Sequence, residues 1–341
     1  MTLEIVEVAE PGAEWDDFVV LQRGWTFCHQ AAWHRVVRRV FRHDCMYLAA
    51  RSASAVVGVL PLVRVKSAVF GHFVVSMPFM SYGGPLGTDD AVRALAAAAA
   101  SRAEIERATL LQLRSRVELP LDLPASHEKI TVTLDISAGG PDVWKALDGK
   151  VRNQIRRPQK DGATVTFGPD QLDPFFHVFA RNMRDLGTPT QSRAFFAAIR
   201  DAFRDQVWFG CVYLGGRPVA AGCGFRFGDE FEMTWASSLR EFNRVSANML
   251  LYWSFIERAS VAGISRFNFG RCSPGSGPHR FKKQWGGVDE PLWWYFHPSR
   301  GAATRTPAPD RGVYAIAAKI WQQLPVPLAT FLGPRIVRYI P

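Results

Sequence analysis

The pattern of apolar and polar residues near the start of the chain predicts a strand, a helix and a hairpin. The strand covers Leu3–Val8, where apolar and polar residues alternate. The helix covers Trp33–Phe41, with valines on one side and arginines on the other. Two apolar stretches across a short polar turn, Tyr47–Arg51 and Val56–Val65, predict the hairpin. The chain is therefore expected to open with a mixture of strands and helix.

Three further elements complete the first half. A strand within 73–88 ends in a Gly/Pro loop around Tyr82, and an alanine-rich helix covers Asp89–Arg107. The strand Leu110–Arg114 follows, which gives the order β-α-ββ-β-α-β. Residues 115–130 are polar and contain prolines, so we expect them to connect two domains.

The second half repeats this order of helices, a strand meander, a helix and a strand. Its predicted helices are Asp142–Arg157, which Pro158 ends, Pro174–Leu186, Ser192–Phe203 and a long one from Asn243 to Gly263. Its predicted strands are Ile130–Asp135, Val207–Leu214, Pro218–Phe227, Glu230–Ser238 and Arg266–Phe269. The repeated order predicts two copies of one structural unit.

Two copies of such a unit place the chain in the α+β class, with mixed sheets. We expect domains at 1–128 and 129–298, followed by a Pro/Arg-rich linker and a short amphipathic tail at 299–341. The tail combines apolar Ile316, Ile320 and Trp321 with basic residues, and prolines divide it into short pieces. From residue 313 onward it is expected either to contact an anionic membrane surface or to pack on the body of the protein.

The charge of the chain favours anionic partners. The 341 residues include 41 Lys+Arg against 31 Asp+Glu, which gives a net charge of +10. Phosphates, nucleic acid and anionic membranes all match this sign. The basic residues are spread along the chain and no RNA-binding aromatic motif occurs, which argues against a non-catalytic nucleic-acid-binding protein. We expect no DNA partner.

Cysteine usage and hydrophobicity indicate a reducing compartment. The five cysteines are odd in number and form no Cys-x-x-Cys pair, which argues against a disulfide framework and a zinc site. The sequence also shows no spacing typical of metal ligands, so no metal is expected. There is no signal-peptide pattern and no run of 18 apolar residues. The expected location is the cytoplasm.

The stretch Phe267–Gly286 concentrates the chemistry of the chain. Three of its glycines allow a close backbone approach to a ligand, and five basic side chains accompany them: Arg271, His279, Arg280, Lys282 and Lys283. Positive charge beside exposed backbone N–H groups suits an anionic ligand or a developing oxyanion. The alternative interpretation is a polar turn with solvated lysines.

Several motifs together resemble a known enzyme family. The motifs are Leu60-Pro-Leu-Val, Ser76-Met-Pro-Phe, Tyr82-Gly-Gly, Lys150-Val-Arg-Asn-Gln-Ile-Arg-Arg, Asn182-Met-Arg-Asp-Leu-Gly-Thr-Pro, Trp235-Ala-Ser-Ser-Leu-Arg-Glu, Asn248-Met-Leu-Leu-Tyr-Trp, Phe267-Asn-Phe-Gly-Arg and Phe281-Lys-Lys-Gln-Trp-Gly. A meander, a helix and a further strand resemble the GNAT acyltransferase fold, and two such units resemble the Fem-type peptidyltransferases. The chain is most similar to the FemAB-related, CelD/BcsL-like acyltransferases found with exopolysaccharide and exosortase/PEP-CTERM gene clusters.

The resemblance implies two tandem GNAT-like domains that transfer an acyl or aminoacyl group. The implied acceptor is a cell-envelope or exopolysaccharide precursor, of saccharide or peptidoglycan type, at the cytoplasmic side of the membrane. The donor stays open between acyl-CoA and aminoacyl-tRNA, because the chain lacks both a coiled-coil arm and the GNAT pyrophosphate signature. A Fem-type peptidyltransferase of peptidoglycan, and a non-catalytic protein associated with nucleic acid or a membrane, are the alternatives.

The resemblance and the residues together suggest candidate catalytic groups. By motif, Lys282 matches the lysine that is thought to stabilise the oxyanion in Fem enzymes, which suits acyl transfer. Arg271 is expected to clamp a phosphate or carboxylate. Glu232 and His279 are alternative general bases for deprotonating the attacking group.

Other residues are candidates for binding the donor and the acceptor. Asn248, with Ser246 and Arg244, lies where the first turn of a helix offers N–H groups to a cofactor, although Asn248 could instead only cap that turn. Acceptor-binding candidates are Arg152, Asn153, Arg156, Tyr82, Tyr252 and Trp235. For these residues a solvated basic face, buried tyrosines and a core tryptophan are the alternative interpretations.

Overall fold

The structure is a computed structural model that describes residues 3–67, 70–298 and 311–340. The chain divides into two compact units. The first unit comprises the described residues of Met1–Lys129, Pro291–Arg311 and Arg335–Pro341, and the second comprises Ile130–Glu290 and Gly312–Pro334. The early part of the predicted linker, 299–310, lies outside the described residues.

The first unit is built on a mixed sheet. Its strands are β1 (Leu3–Glu7), β2 (Asp44–Ser52), β3 (Ala55–Ser67), β4 (Gly71–Val75), β5 (Leu86–Gly87), β6 (Leu110–Ser115) and β7 (Ala125–Ser126). Its helices are α1 (Ala13–Val19), α2 (Ala32–Phe41) and α3 (Asp89–Ile105). Strands β1 to β4 form an antiparallel meander, and β6 returns parallel to β4 after α3.

The alanine-rich helix α3 packs directly on this sheet. A Cβ added to Gly58 of β3 would lie 2.7 Å from the Ala91 Cβ of α3, which no real contact allows. Small residues on both sides therefore let the helix approach the sheet closely. Leu95, Ala99 and Leu60 belong to the resulting core. This packing explains why the predicted helix is alanine-rich on one face.

The second unit is built on another mixed sheet. Its strands are β8 (Ile130–Asp135), β9 (Thr164–Phe167), β10 (Val207–Leu214), β11 (Arg217–Phe227), β12 (Glu230–Ser238), β13 (Arg266–Cys272) and β14 (Val288–Pro291). Its helices up to this point are α4 (Gly140–Ala146), α5 (Gly149–Lys160), α6 (Leu172–Leu186), α7 (Arg193–Phe203), α8 (Ala247–Val261) and α9 (Gly277–Lys283). The strand order is β14-β8-β13-β12-β11-β10-β9.

Apolar layers cover both faces of the second sheet. Phe231 and Met233 of β12 pack with Phe255 of α8 on one face. On the other face, the Phe196 ring of α7 makes an edge contact with the Trp235 ring at 5.2 Å between centroids. Strands β10, β11 and β12 are antiparallel, whereas β13 is parallel to β12 because α8 crosses between them. The predicted α+β class with mixed sheets is confirmed.

Strand β15 (Trp293–Pro298) corrects the domain boundary expected from the sequence. The sequence places these residues at the end of the second domain. In the structure β15 lies between β6 and β7 and pairs antiparallel with both, so it belongs to the first sheet. Backbone pairing between distant segments decides this, and a local apolar pattern does not reveal its partner.

The helix predicted over Asp142–Arg157 is in fact two helices, α4 and α5. Leu147 adopts an extended conformation after α4, and the Asp148 carboxylate then caps α5 by accepting the Lys150 N–H at 2.7 Å. An aspartate in this place favours a new helix start. Pro158 lies in the last turn of α5, which continues for only two residues beyond it.

Two helices form the end of the chain, α10 (Arg311–Gln322) and α11 (Val326–Val337). In the second unit, Ala318 lies against Gly187, Gly333 lies against Thr190, and the Arg184 guanidinium donates to Leu324 O at 2.7 Å. In the first unit, the His43 Nε2–H donates to Arg338 O at 2.7 Å. Among the described residues, no helix is long and apolar enough to span a bilayer.

Buried His29 makes the stability of the first unit sensitive to acid. Its Nδ1 accepts the Thr26 N–H and its Nε2–H donates to Gly84 O, so the ring is neutral. Burial lowers the pKa of His29 from 6.5 to about 4. The unfolded state therefore binds more protons between these values, and stability falls as the pH decreases through this window.

We expect His29→Gln to reduce this acid sensitivity. The wild type should lose more free energy of unfolding than the variant as the pH falls. The difference between the two should therefore shrink by at most about 1.4 kcal/mol per pH unit. Urea unfolding at a series of pH values measures it, with His177→Gln as a control at an exposed histidine. A difference that is independent of pH would contradict the neutral, buried state of His29.

Candidate functional site

The parallel pairing of β12 with β13 stops part-way along the two strands. The pairs are Glu230 with Arg266, Phe231 with Phe267, and Glu232 with Asn268, and the described residues form no later pair between them. Beyond this point the two strands no longer satisfy each other's backbone groups, which then need other partners. The carboxyl ends of the two strands thus define the candidate site.

A β-bulge marks the same point on the other edge of β12. Cys223 of β11 pairs with Trp235, whereas Phe225 pairs with Glu232, so Met233 and Thr234 both oppose Gly224. A bulge bends the strand and re-aims its side chains, and bulges are common beside active sites. It explains why Met233 faces α8 while Trp235 faces α7.

Helix α8 begins at this end of the sheet with an uncapped N-terminus. It has no side-chain cap and no acidic residue in its first turn. Ser246 precedes it in a left-handed conformation, with φ of 62°. Although the sequence here has no glycine, the serine adopts the backbone that a glycine would favour. Free N–H groups and the helix dipole make such a terminus suitable for an anion.

The matching helix of the first unit is unsuitable for an anion. Helix α3 connects the parallel strands β4 and β6, as α8 connects β12 and β13. At the start of α3, Thr88 Oγ accepts the Ala91 N–H, and Asp89 and Asp90 occupy the first turn. The carboxylates would repel a phosphate. The two units therefore differ in the chemistry of equivalent helix ends.

The predicted glycine loop is shorter than expected, because β13 continues to Cys272 and α9 starts at Gly277. Its basic side chains do not converge. The Arg280 guanidinium donates to Gly275 O, and the Lys283 ammonium donates to Gly287 O. Arg271 is exposed on the last part of β13. The site therefore depends on individual cations rather than on one cluster.

Lys282 is the buried cation of this segment. It is only 5% exposed, and its ammonium donates to Gly270 O at 2.5 Å and to Arg271 O at 2.9 Å. Burial lowers the pKa of Lys282 to about 8, although Cys272 and Glu232 nearby favour its charged form. A charged amine is therefore bonded to the backbone of β13 at Gly270 and Arg271, where this strand no longer pairs with β12.

Glu232 occupies the last β12–β13 pair and is 2% exposed. The Thr234 hydroxyl donates to its carboxylate at 3.5 Å. The carboxylate is thus held at the point where the strands separate, within the electrostatic reach of Lys282.

His279 is less suited to the role of general base. Its Nδ1 accepts the Gly275 N–H at 3.0 Å, and its Nε2 faces the Asp289 carboxylate at 3.0 Å. Because both ring nitrogens are engaged with the protein, no lone pair is directed at a substrate. The motif placed this histidine in a glycine loop but could not reveal its partners.

The candidate donor-binding residues lie together at the start of α8. Arg244 is exposed just before the helix, and Ser246 and Asn248 are half-buried at its beginning. The Asn248 side chain does not cap the helix, because α8 has no side-chain cap. All three residues therefore lie next to the first turn of α8.

Of the candidates on α5, two are engaged in structural contacts. The Arg152 guanidinium donates to Lys145 O at 2.8 Å and so supplies a partner for a carbonyl group in the last turn of α4. The Arg156 guanidinium lies 5.2 Å from the centre of the Trp144 ring. Asn153 is exposed. Instead of a solvated basic face, Arg152 and Arg156 make contacts with α4.

The aromatic candidates are mostly core residues. Tyr82 lies in the first unit and is 0% exposed, so it does not present its ring to an acceptor. Trp235 packs against Phe195 and Phe196. Tyr252 on α8 is half-buried between Phe269 and Phe281, and burial raises the pKa of its hydroxyl.

A buried polar network beside the site was missed by the sequence analysis. Asn268, fully buried, accepts the Thr131 hydroxyl at 2.5 Å and the Gly270 N–H at 2.8 Å through Oδ1. Its Nδ2 donates to Glu230 at 2.8 Å, and Arg266 pairs with the other oxygen of Glu230. The sequence does contain a sign of this network: in Phe267-Asn-Phe, a polar residue stands between two apolar aromatic residues of a strand.

The described residues contain no group of three or more His, Cys, Asp or Glu side chains that could bind a metal ion. Residues 149–283 match the family model described as an acetyltransferase (GNAT) domain. This part of the chain is therefore similar to GNAT acetyltransferase domains. The matched residues contain the bulge, the start of α8 and Lys282. No curated protein sequence matches the chain.

Solved structures are similar over most of the chain. FemX shares 14% identity with a TM-score of 0.67, over 86% of this chain and 97% of FemX. A tandem GNAT protein from the clavulanic acid biosynthesis pathway shares 13% identity with a TM-score of 0.54, over 91% and 100%. The C-terminal domain of a candidate lysylphosphatidylglycerol synthetase from Agrobacterium fabrum shares 14% with a TM-score of 0.55, over 90% and 95%. These similarities confirm a tandem GNAT-like fold.

We expect Asn268→Ala to destabilise the second unit. The change leaves the buried Glu230 carboxylate and the Thr131 hydroxyl without a shared partner, which should cost about 2–4 kcal/mol. Urea unfolding measures the change, with exposed Asn153→Ala expected within about 0.5 kcal/mol of wild type. Equal stability of the two variants would contradict a structural role for Asn268.

Proposed function

We propose that the second unit transfers an acyl group from acyl-CoA to a cell-envelope or exopolysaccharide precursor. One observation carries the proposal: β12 and β13 separate in front of an uncapped helix N-terminus. The GNAT match over residues 149–283 supports the reaction type. The CelD/BcsL-like, exosortase-associated group is the finer assignment that we propose on the sequence motifs.

In this proposal the donor's pyrophosphate binds the start of α8. The free N–H groups and the Arg244 charge attract it, and the Ser246 hydroxyl and Asn248 amide donate to its oxygens. The arm that carries the thioester then lies between β12 and β13, at the point where the two strands separate. The acidic start of α3 explains why we assign this role to the second unit.

The transfer step needs a base and a positive charge. We propose that Glu232 accepts the proton of the attacking amine or hydroxyl while the new bond to the acyl carbon forms. The carbonyl oxygen then becomes negative, and the buried ammonium of Lys282 stabilises it electrostatically. Collapse of the intermediate expels the thiolate of CoA. Arg271, exposed at the end of β13, is proposed to bind an anionic group of the acceptor.

The acceptor-binding proposal is narrower than the sequence suggests. Asn153 and Arg156 on α5 and Tyr252 on α8 stay candidates for contacts with a saccharide or peptidoglycan-type acceptor. Arg152, Tyr82 and Trp235 are proposed as structural residues instead, because their contacts lie within the protein.

Arg244→Glu should weaken acetyl-CoA binding about tenfold or more, because it places a negative charge beside the pyrophosphate. Isothermal titration calorimetry measures the dissociation constant. Arg226→Glu is the matched control, since this exposed arginine lies on β11 opposite Phe231, at the other end of the sheet. If both variants bind acetyl-CoA like wild type, the donor does not bind at α8.

Lys282→Met should lower kcat by about 10²–10³-fold if the ammonium stabilises the oxyanion. Because the pKa of Lys282 is about 8, wild-type kcat should fall as the pH rises through this value. Lys282→Arg should retain part of kcat and lose this fall, since guanidinium stays charged.

Release of CoA from acetyl-CoA with an amino-sugar acceptor measures these rates. Unchanged acetyl-CoA binding by Lys282→Met controls for correct folding of the variant. A wild-type kcat in that variant would contradict the role of Lys282.

An aminoacyl-tRNA donor is the second candidate. The +10 net charge and the similarity to FemX favour it. In that case the chain would act as a Fem-type peptidyltransferase of peptidoglycan. The protein would then bind aminoacyl-tRNA and would not bind acetyl-CoA. Titrating both donors into wild type and Arg244→Glu separates the two candidates.

We propose a cytoplasmic enzyme that works at the inner face of the membrane. Basic residues and exposed apolar side chains in the chain's last helices support this location. Such a position would bring a lipid-linked acceptor close to the enzyme.

A further inference from the structure

Each of the last two helices places a small residue against the protein and leaves two large apolar residues exposed. On α10, Ala318 packs against Gly187, and Ile316 and Ile320 are 62% and 63% exposed. Each isoleucine is two positions from Ala318, so both lie on the opposite side of the helix. A helix that only packed on the protein would show the reverse arrangement.

Helix α11 shows the same arrangement independently. Ala329 is 1% exposed, Gly333 lies against Thr190, and Phe331 between them is 58% exposed. Leu328 is also exposed. Of the twelve large apolar side chains that are exposed in the described residues, five belong to 316–340. Exposed apolar side chains at this density indicate a binding surface.

The charge of this segment indicates what covers the surface. Residues 311–341 include four basic residues, Arg311, Lys319, Arg335 and Arg338, and no acidic residue. Lys319 is exposed between Ile316 and Ile320. A second copy of the chain would bring like charges together. An anionic lipid surface would accept the apolar side chains and attract the basic ones.

We propose that Ile316, Lys319, Ile320, Leu328 and Phe331 form a membrane-docking surface for bilayers rich in anionic lipid. The inference rests on the proposed location of the enzyme at the inner face of the membrane. The two helices lie in the plane of the interface, with the large side chains among the acyl chains and Lys319 at the headgroups.

Vesicle co-sedimentation of the full chain tests the surface without any substrate. Wild type should bind phosphatidylglycerol-containing vesicles more strongly than phosphatidylcholine vesicles, and more weakly in about 0.5 M than in about 0.1 M salt. Ile316→Glu/Ile320→Glu should raise the lipid concentration for half-binding at least about tenfold. Phe331→Glu should have the same effect from the other helix, and Lys319→Glu should remove the preference for anionic lipid.

Val261→Glu is the matched control, because Val261 is 86% exposed on α8. It should bind vesicles like wild type, and near-ultraviolet circular dichroism checks that each variant is folded. Binding of Ile316→Glu/Ile320→Glu and Phe331→Glu at the wild-type level would overturn the proposal. So would a wild-type dimer, seen by light scattering, that these changes dissociate.

Acetyl-CoA binding by the same variants separates this surface from the proposed activity. Loss of vesicle binding with unchanged acetyl-CoA binding supports the surface. Vesicle binding by a protein that binds no donor would remove only the proposed activity.

Discussion

The candidate site depends on how the backbone of β13 leaves β12 after Asn268. A break in a sheet exposes backbone groups, which are costly to leave without partners. Here side chains supply the hydrogen bonds that β12 no longer provides. Asn268 accepts the Gly270 N–H, and the Lys282 ammonium donates to Gly270 O and Arg271 O. Gly270 supplies the positive φ of 72° that the departure needs. Buried polar side chains therefore satisfy the part of β13 that has separated from β12, and one of them, Lys282, places a positive charge there.

The two units differ although each has a helix between parallel strands. In the first unit, the Thr88 hydroxyl caps the start of α3, and Asp89 and Asp90 place negative charge in its first turn. In the second unit, the start of α8 stays uncapped after a left-handed Ser246. Capping normally stabilises a helix by about 1 kcal/mol, so an uncapped end gives up stability that a ligand can restore. The first unit instead completes its sheet with β15, a strand from beyond the second unit.

In the last two helices, several of the most hydrophobic residues are not the ones that contact the protein. Each of the last two helices has an alanine or glycine in contact with the protein and two large apolar side chains exposed: Ile316 and Ile320 on α10, and Leu328 and Phe331 on α11. Small inward residues allow a close approach, but they bury little apolar area. The contacts that hold these helices therefore do not account for their most hydrophobic residues.

The sequence alone determined most of the order of helices and strands, the repeated unit and the motif that contains Lys282, because these depend on local periodicity and residue type. It could not assign β15 to the first sheet, since strand pairing joins residues far apart in the chain. It also missed the partners of His279 and Arg152 and the network of Asn268 and Glu230, and it left open whether Tyr82 is buried. Tertiary structure decided each of these, because burial and hydrogen-bond partners depend on which distant segments meet. The left-handed Ser246 belongs to the same class, since its conformation follows from its neighbours and not from its residue type.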